Sequence, residues 1–370
     1  MSVREIQVKT ANLNYRILIG ENALDEAGKS IRLLFPSTRA LLVSDSNVYS
    51  LYGEKVLQSL TEQNFEGTKS LIRPGESSKV LEVASRLYDF AVEAGLDRNS
   101  PIIVLGGGVV GDLAGFVAAT YLRGVPLIML PTTLLAQVDS SVGGKVAINH
   151  PQGKNLIGAI YPPRLVIIDP LVLNTLPEQQ FKAGLAEVVK YSIIADSSFF
   201  WWLEDNLKGL MKHQSAELTW AITASVKAKA KVVEEDEFEK DYRRVLNFGH
   251  TIGHALEAAT DYTYYLHGEA VLIGMALAVK LAERINLLES HTAWRINNLL
   301  ARLDLKKPPP DLTAEMVADK LRQDKKRRDG SIIFVLPRAI GSANMIPVND
   351  EKLISELINL YLQQKIFIKS

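Results

Sequence analysis

Two hydrophobic patterns divide the chain near residue 175. Before it, short runs of β-branched and apolar residues alternate with helical patterns, which is typical of βαβ units and a mostly parallel sheet. These runs predict strands at residues 1–10, 39–43, 101–105, 126–130 and 165–168. Apolar spacing of three and four residues predicts helices at 49–63 and 79–94, the second with Ser77 or Ser78 and Gly95 as caps.

After a run of prolines between residues 162 and 177, strand signals become rare and long helical patterns dominate. The pattern predicts helices at residues 178–194, 215–233, 245–259, 268–287, 292–303, 313–322 and 350–363, and one strand at 332–335. We therefore expect an α/β domain with a Rossmann-like sheet over residues 1–175, followed by a mainly helical, all-α domain over 176–370.

Composition and charge exclude several classes of protein. The 42 basic and 42 acidic residues give zero net charge, so no general attraction to nucleic acid or to a membrane surface is expected. The absence of cysteine excludes disulfides, thiolate metal sites and cysteine nucleophiles. No apolar run reaches the roughly 20 residues of a membrane span, and the N-terminus shows no secretory or transit pattern. We expect a cytoplasmic protein.

A glycine-rich segment, residues 106–112 (GGGVVGD), directly follows the predicted strand 101–105. Glycines let a ligand approach the backbone, and the N–H groups of a following helix can bind a pyrophosphate. The spacing differs from the common GxGxxG, and a turn without a ligand remains an alternative. Asp45, just after strand 39–43, could accept a hydrogen bond from a ribose hydroxyl or cap a helix.

Several basic residues lie in positions that suit an anionic ligand. Lys145 and Lys154 are in glycine-rich segments, where they could bind an anion or lie on the surface of a hairpin. Further cations precede residue 245: Lys227, Lys229, Lys231, Arg243 and Arg244. These, and the charged run at 324–329, are either solvated faces or walls of a phosphate site.

Three of the six histidines fall within eighteen residues. His250 and His254 are four residues apart and share one face of a helix, and His267 opens the next helix. Gly249 and Gly253 let a neighbouring helix or a ligand come close. Two histidines and a carboxylate would suit zinc with open positions, although buried, hydrogen-bonded histidines are the alternative. Three carboxylates compete for the last ligand position: Glu187, Glu257 and Glu269.

Glu187 and Lys190 are one helical turn apart and flanked by small and apolar residues, which indicates burial. Since a buried unpaired charge is costly, the two either pair with each other or face a ligand or metal.

Taken together, these motifs resemble the 3-dehydroquinate synthase family of the sugar phosphate cyclases. The matching segments run in family order from residue 74 to residue 326: 74–79, 106–112, 131–145, 153–158, 186–190, 246–254, 267–269 and 324–326. The resemblance implies a dehydroquinate synthase-like fold and a phosphate-eliminating lyase of the shikimate pathway, which leads to chorismate and the aromatic amino acids. It also implies NAD, zinc or another divalent metal such as cobalt, a small-molecule sugar phosphate substrate, and a homodimer.

The resemblance further implies roles for individual residues. Glu187, His250 and His267 would hold the metal, leaving His254 for acid–base chemistry. The implied catalytic residues are His254, Lys190, Lys229, Arg243, Asn247 and Asp139. The implied substrate-binding residues are Arg123, Asp139, Lys145, Asn155, Lys190, Lys229, Arg243, Asn247, His254, and one of Lys325 and Lys326. The implied NAD-binding residues are Asp45, Pro74, Gly75, Glu76, Lys79, Gly107, Gly108, Val109, Val110, Gly111, Asp112, Thr132, Thr133, Lys145, Lys154, Val172, Leu173, Asn174 and Thr175.

The implied reaction converts 3-deoxy-D-arabino-heptulosonate 7-phosphate to 3-dehydroquinate and phosphate. It proceeds by transient oxidation, phosphate elimination, reduction, ring opening and an intramolecular aldol closure. Two other activities are considered: a cyclase of the inosose or valiolone synthase type, and a metal-dependent NAD alcohol or glycerol dehydrogenase. The many basic residues favour a phosphorylated, acidic substrate over a neutral polyol.

Overall fold

A computed structural model describes residues 3–10, 14–323 and 331–366, together with the backbone of 327–328. The chain forms two compact units: unit 1 comprises Met1–Leu176 and His213–Phe238, and unit 2 comprises Pro177–Lys212 and Glu239–Ser370. Residues 213–238 were expected in the second domain. They belong to unit 1 because the helix Ser215–Glu235 packs on the first strand and bonds to it, for example through Arg4 and Thr223.

Unit 1 is built on a seven-stranded sheet. In chain order its strands are β1 (Arg4–Lys9), β2 (Asn14–Ile19), β3 (Arg39–Asp45), β4 (Glu66–Ile72), β5 (Ile102–Gly106), β6 (Leu127–Pro131) and, after a hairpin of β7 (Lys145–His150) and β8 (Gly153–Ile160), β9 (Leu165–Ile168). The spatial order is β1-β2-β9-β6-β5-β3-β4, and only β1 and β2 pair antiparallel in it. The predicted α/β sheet is confirmed. β2 and β4 were not predicted, because polar residues interrupt their apolar runs.

The strand order fixes where a ligand is expected to bind. From β3 the chain moves outward to β4 and then returns across the sheet to β5, β6 and β9. The direction of winding therefore reverses between β3 and β5. In doubly wound sheets, ligands bind outside the carboxyl ends of the strands at this reversal point.

Helices flank the sheet of unit 1 and make up most of unit 2. In chain order they are α1 (Ala27–Arg32), α2 (Ser46–Val48), α3 (Glu54–Thr61), α4 (Leu81–Glu93), α5 (Gly108–Thr120), α6 (Glu178–Ile194), α7 (Ser197–Met211), α8 (Ser215–Glu235), α9 (His250–Ala259), α10 (His267–Arg284), α11 (Ser290–Ala301), α12 (Ala314–Gln323) and α13 (Glu351–Leu362). Among the described residues, no helix combines the length and apolar character needed to cross a membrane.

Unit 2 is mainly helical, as predicted, but it also contains a small antiparallel sheet. Its strands are β10 (Arg327–Arg328), β11 (Ser331–Ala339) and β12 (Ser342–Val348). Only part of β11 was predicted, so the all-α expectation for this domain was too narrow. β12 is half-exposed and lacks a clear apolar alternation, so its pairing with β11 is decided by the turn at Gly341, which has a positive φ of 83°.

Helix boundaries depart from the sequence pattern where glycines and aromatic residues intervene. The predicted helix 245–259 begins at His250, because Gly249 adopts a left-handed conformation with φ of 79°. Residues Tyr242–Asn247 instead form a short 3₁₀ turn. α7 was not predicted. Its aromatic-rich start is capped by Asp196, whose carboxylate accepts hydrogen bonds from the backbone N–H groups of Ser198 and Phe199.

Glycines let three helices of unit 2 approach closely. A Cβ atom on Gly274 of α10 would lie 1.9 Å from the carbonyl oxygen of Gly249, and one on Gly253 would lie 3.1 Å from the Ala270 backbone. Likewise, a Cβ on Gly268 would lie 1.9 Å from the carbonyl oxygen of Ala183 on α6. Backbone-to-backbone contact therefore joins α9 to α10 and α10 to α6. The expectation that Gly249 and Gly253 admit a neighbouring helix is confirmed.

We predict that Gly274→Ala destabilises the protein by at least about 1–3 kcal/mol, because its methyl group would collide with backbone that cannot rotate away. The melting temperature should fall by roughly 2–4 °C per kcal/mol. Thermal and urea unfolding would measure the effect. Gly67→Ala is the matched control, since its new methyl group would meet only side-chain ends, those of Leu57 at 3.1 Å and Leu60 at 3.9 Å. Equal unfolding of the two variants would contradict the prediction.

Candidate active site

Most of the predicted cofactor residues follow the carboxyl ends of the parallel strands of unit 1. Because parallel strands end at one edge of a sheet, the structure brings these segments to the same edge. Asp45 ends β3. The others follow β4, β5, β6 and β9 in turn: Pro74, Gly75, Glu76 and Lys79; Gly107 to Asp112; Thr132 and Thr133; and Val172, Leu173, Asn174 and Thr175.

The glycine-rich segment forms the turn from β5 into α5. Gly107 precedes the helix, and its carbonyl accepts the N–H of Gly111 at 3.0 Å. A Cβ on Gly106 would lie 2.7 Å from the Val110 side chain, and one on Gly107 would lie 3.1 Å from Thr133. Glycine is therefore required by local packing, and the turn presents the N-terminus of a 13-residue helix, which is suited to a phosphate.

Asp45 caps a helix. Its Oδ1 accepts hydrogen bonds from the backbone N–H groups of Asn47 and Val48 at 2.9 and 3.0 Å. This is one of the two roles considered from the sequence. A carboxylate can accept several hydrogen bonds, so capping is compatible with the ribose-binding role, which remains a prediction.

Lys79 forms the centre of a buried charged network in unit 1. Its ammonium group lies 2.5 Å from Asp112 Oδ2 and 3.8 Å from Glu76 Oε1. Asn149 Nδ2 donates to the same Glu76 oxygen at 2.7 Å. Burial raises the pKa of Asp112 above its usual range, and the neighbouring Lys79 opposes that shift. The network joins the segments that follow β4 and β5 to strand β7 of the hairpin.

Lys229 and Asp139, both predicted to contact substrate, form a second ion pair in unit 1. The buried Lys229 ammonium donates to Asp139 Oδ1 at 2.6 Å and to its carbonyl oxygen at 2.7 Å. Among the described residues, the adjacent Ser140 hydroxyl and that of Thr132 are buried without a hydrogen-bond partner. Sequence reasoning did not single out Ser140, although it directly follows Asp139 in a matching motif.

The remaining predicted residues of unit 1 lie at its surface. Lys145 opens β7 and is exposed, while Lys154 and Asn155 are in β8, so the hairpin considered from the sequence is present. Asn155 has a positive φ of 57°, and its N–H donates to the Asn149 side chain at 2.9 Å. Arg123 and the preceding Leu122 also have positive φ values, of 65° and 47°. A positive φ is uncommon for residues such as leucine and arginine, whereas asparagine adopts it more readily.

In unit 2, the three histidines form one cluster. The ring centroids of His250, His254 and His267 are 5.2–5.7 Å apart. One ring nitrogen from each lies within 4.8 Å of the others. His254 is solvent-accessible, whereas His250 is buried. Burial is the largest cause that holds the pKa of His250 well below its usual value, followed by the nearby Lys190. A neutral imidazole is the form that binds a metal.

Hydrogen bonds fix the orientation of two of these rings. His250 Nδ1 lies 3.0 Å from the carbonyl oxygen of Phe248, and His267 Nδ1 lies 3.2 Å from Glu257 Oε2. A carbonyl or an ionised carboxylate can only accept, so in both rings Nδ1 carries the proton and Nε2 is left as the electron-pair donor. Metal-binding histidines are commonly held in this way.

The two Nε2 atoms face a buried carboxylate on α6. Glu187 is fully buried, and its Oε1 lies 3.8 Å from His250 Nε2 and 4.0 Å from His267 Nε2. Among the described residues, no hydrogen bond satisfies this oxygen. Its other oxygen pairs with the ammonium group of Lys190, which is also buried. Glu187 and Lys190 thus both pair with each other and border the histidine cluster.

These donors fit a divalent metal. With metal–ligand bonds of ~2.0–2.2 Å, two donors of one metal are at most about 4.4 Å apart, when they lie on opposite sides of it. The distances of 3.8 and 4.0 Å from Glu187 Oε1 are within this limit. The competing carboxylates are otherwise engaged. Glu257 binds the Nδ1 side of His267, and Glu269 accepts from the Leu266 N–H at 2.8 Å and from Lys306 at 3.0 Å. His254 remains geometrically possible as a ligand alongside Glu187.

Two further predicted substrate residues of unit 2 lie next to these helices in the chain. Arg243 is buried and Asn247 half-buried, both in the 3₁₀ turn before α9. A buried guanidinium group is costly unless it is compensated by an opposite charge or by hydrogen bonds. Lys325 and Lys326 lie outside the described residues.

Two family models match consecutive parts of the chain. The family model for the 3-dehydroquinate synthase N-terminal region matches residues 69–183, and that for the C-terminal region matches residues 184–327. A 3-dehydroquinate synthase of Pelotomaculum thermopropionicum is 49% identical over 91% of this chain and 91% of its own.

Solved structures agree in fold. A 2-deoxy-scyllo-inosose synthase, complexed with carbaglucose-6-phosphate, NAD⁺ and Co²⁺, is 30% identical with a TM-score of 0.87, covering 96% of this chain and 99% of its own. The 2-epi-5-epi-valiolone synthase of Streptomyces hygroscopicus, with NAD⁺ and Zn²⁺ bound, is also 30% identical with a TM-score of 0.87, over 95% and 98%.

We predict that Lys79→Met destabilises the apoprotein by roughly 1–3 kcal/mol at neutral pH, because it leaves Asp112 partly buried beside no cation. The raised pKa of Asp112 means that stability is lost as pH rises through that pKa. Removing Lys79 raises the pKa of Asp112 further. The difference in unfolding free energy between the variant and wild type, measured by urea unfolding, should therefore widen from pH 4 to pH 7 and disappear in acid. A second substitution, Asp112→Asn, should abolish the pH dependence of this difference. A difference independent of pH would contradict this prediction.

Proposed function

Because the chain belongs to the 3-dehydroquinate synthase family, we propose that it converts 3-deoxy-D-arabino-heptulosonate 7-phosphate to 3-dehydroquinate and phosphate. It would act as an NAD- and divalent-metal-dependent lyase of the shikimate pathway. The 49% identity over 91% of both chains supports this substrate over those of the inosose and valiolone synthases, which match at 30%.

The observation that carries the proposal is the buried group of charges in unit 2. Glu187 faces the electron-pair donors of His250 and His267, and the buried cations Lys190 and Arg243 belong to the same unit. A neutral polyol would not require buried lysine and arginine side chains. Cations in a substrate site suit a substrate that carries both a phosphate and a carboxylate, since charge-assisted hydrogen bonds can form to both groups.

In this proposal Glu187, His250 and His267 hold the metal. When bound, a divalent metal would lower the pKa of vicinal substrate hydroxyls and polarise the carbonyl formed on oxidation. Lys190 pairs with the second oxygen of Glu187. The carbonyl oxygen of Phe248 holds the His250 ring with Nε2 available.

The strand ends of unit 1 would hold NAD, whose chemistry is to accept a hydride from substrate and return it. The turn at Gly107 and Gly108 would bind the pyrophosphate through backbone N–H groups. Asp45 would accept a hydrogen bond from a ribose hydroxyl. The network around Lys79 would order the segments that carry it. The remaining proposed contacts are Pro74, Gly75, Glu76, Val109, Val110, Gly111, Asp112, Thr132, Thr133, Lys145, Lys154, Val172, Leu173, Asn174 and Thr175.

The basic and amide side chains would bind and orient the substrate, which is chiefly a positioning task. The proposed substrate contacts are Arg123, Asp139, Lys145, Asn155, Lys190, Lys229, Arg243, Asn247, His254 and one of Lys325 and Lys326. Because His254 is solvent-accessible and next to the proposed metal ligands, it would exchange protons with substrate oxygens.

We further propose that the protein forms a homodimer and acts in the cytoplasm. Family membership supports both statements. Light scattering on the purified protein would measure the mass in solution, and the proposal fails if the protein is monomeric at the concentration of the activity assay.

The decisive experiment uses metal-loaded protein with NAD⁺ at a small fraction of the concentration of the heptulosonate 7-phosphate. Released phosphate and the absorbance of NADH would be followed together. We expect phosphate in large excess over NAD⁺, with no lasting NADH, because the cofactor is regenerated in each cycle. Stoichiometric NADH without phosphate would indicate a dehydrogenase. Activity only with a hexose or heptulose phosphate of the inosose or valiolone pathways would indicate one of those cyclases.

We predict that His250→Ala loses both bound metal and turnover, whereas His254→Ala keeps near-normal metal and loses turnover. The reason is that His250 Nε2 faces Glu187, whereas His254 is assigned to proton transfer. Metal analysis of the purified variants would check this. Parallel metal loss in both would mean that His254, which is geometrically eligible, is a ligand.

A further inference from the structure

Glu257 is a buried carboxylate to which the matching motifs and the proposed reaction assign no role. It lies on α9, three residues after His254 and seven after His250. Positions separated by four and seven residues share one face of a helix. All three side chains therefore project on the side of α9 that carries the histidine cluster, and Glu257 is 7% exposed.

Glu257 contacts His267 at the ring nitrogen opposite the one that faces Glu187. Its Oε2 lies 3.2 Å from Nδ1 of His267, which is the first residue of the next helix, α10. The opposite ring nitrogen, Nε2, faces Glu187 Oε1 at 4.0 Å. His267 is thus bracketed by two carboxylates, one at each ring nitrogen. Only one of these nitrogens can carry the proton in the neutral ring.

We propose that Glu257 is a positioning residue that holds the proton of His267 on Nδ1 and so keeps Nε2 as a metal-binding electron pair. This inference rests on the metal site of the proposed function. Without Glu257, the proton can move to Nε2 and be donated to Glu187, which would block the metal position. A carboxylate behind a ligating imidazole also increases the basicity of that ligand.

The two histidines differ in a way that makes the effect of Glu257 specific. His250 Nδ1 donates to a backbone carbonyl, which no substitution of a side chain removes. His267 depends on a side chain. Loss of Glu257 should therefore weaken metal binding through one ligand and leave the other intact, so we expect partial loss rather than the complete loss expected for His250→Ala.

The test compares Glu257→Ala and Glu257→Gln with Glu283→Gln as a matched control. Glu283 is on the same helix as His267, and its carboxylate pairs with Lys280 at 3.3 Å, away from the cluster. Affinity for Zn²⁺ and Co²⁺ would be measured by competition with a chromophoric chelator. We expect Glu257→Ala to bind about 10- to 100-fold more weakly. Glu257→Gln should lie between Ala and wild type, since its amide oxygen can still accept the Nδ1 proton but carries no charge.

A purely structural role for Glu257 would be revealed by two further measurements. The thermal unfolding of each metal-free variant should match that of Glu283→Gln. The visible spectrum of bound Co²⁺ should change in the Glu257 variants and not in the control. The proposal is overturned if Glu257→Ala keeps both the wild-type affinity and the wild-type spectrum. It is equally overturned if the fraction of metal-free variant that is unfolded accounts for the whole loss of metal affinity.

This outcome is separable from the proposed function. Wild-type protein that binds metal but shows no cyclase activity would refute the reaction and leave the role of Glu257 standing. Cyclase activity of the wild-type protein, together with unchanged metal affinity in the Glu257 variants, would support the proposed reaction and refute the role of Glu257.

Discussion

Backbone contact between helices at glycine positions is the constraint on which the histidine cluster of unit 2 depends. Gly274 meets the carbonyl of Gly249, and Gly268 meets that of Ala183, so α10 lies against both α9 and α6 without intervening side chains. This separation is what allows side chains from three helices to bring oxygen and nitrogen atoms within 4.0 Å of one another. Ordinary side chains at these glycines would separate the helices and remove the cluster.

The same unit shows how buried charges are compensated. Glu187 and Lys190 are both almost completely inaccessible, and each reduces the cost of burying the other. Among the described residues, neither oxygen of Glu187 has a hydrogen bond, and only Oε2 has the ion-pair contact with Lys190. An unsatisfied buried carboxylate oxygen is costly, and coordination of a divalent metal would offset that cost. The site is therefore partly arranged for its ligand before the ligand binds.

In unit 1, the strand topology brings distant residues together, whereas in unit 2 close packing of helices does so. Its parallel strands end at one edge, so short loops that are distant in sequence meet there without a dedicated scaffold. Two ion pairs, each with a buried lysine, fix segments of that unit: Lys79 with Asp112 and Lys229 with Asp139. The first joins the segments that follow β4 and β5, and the second joins the segment after β6 to α8.

By itself, the sequence determined the elements with strong periodicity and the chemistry carried by local motifs. β9 and α6 have the predicted boundaries, and the spacing of His250 and His254 correctly placed both on one helix face. The glycine pair of α9 correctly indicated a close neighbour. These features could be predicted because they depend on local backbone geometry and on residues a few positions apart.

Only the tertiary structure decided the rest. β2, β4 and β12 are half-exposed strands that are specified by their partners more than by their own pattern. Helix α8 belongs to unit 1 although it lies among the helices of unit 2 in sequence. The choice among Glu187, Glu257 and Glu269 could not be made from spacing. It depends on which atoms each carboxylate meets across helix contacts, and such distances arise only when segments far apart in the chain pack together.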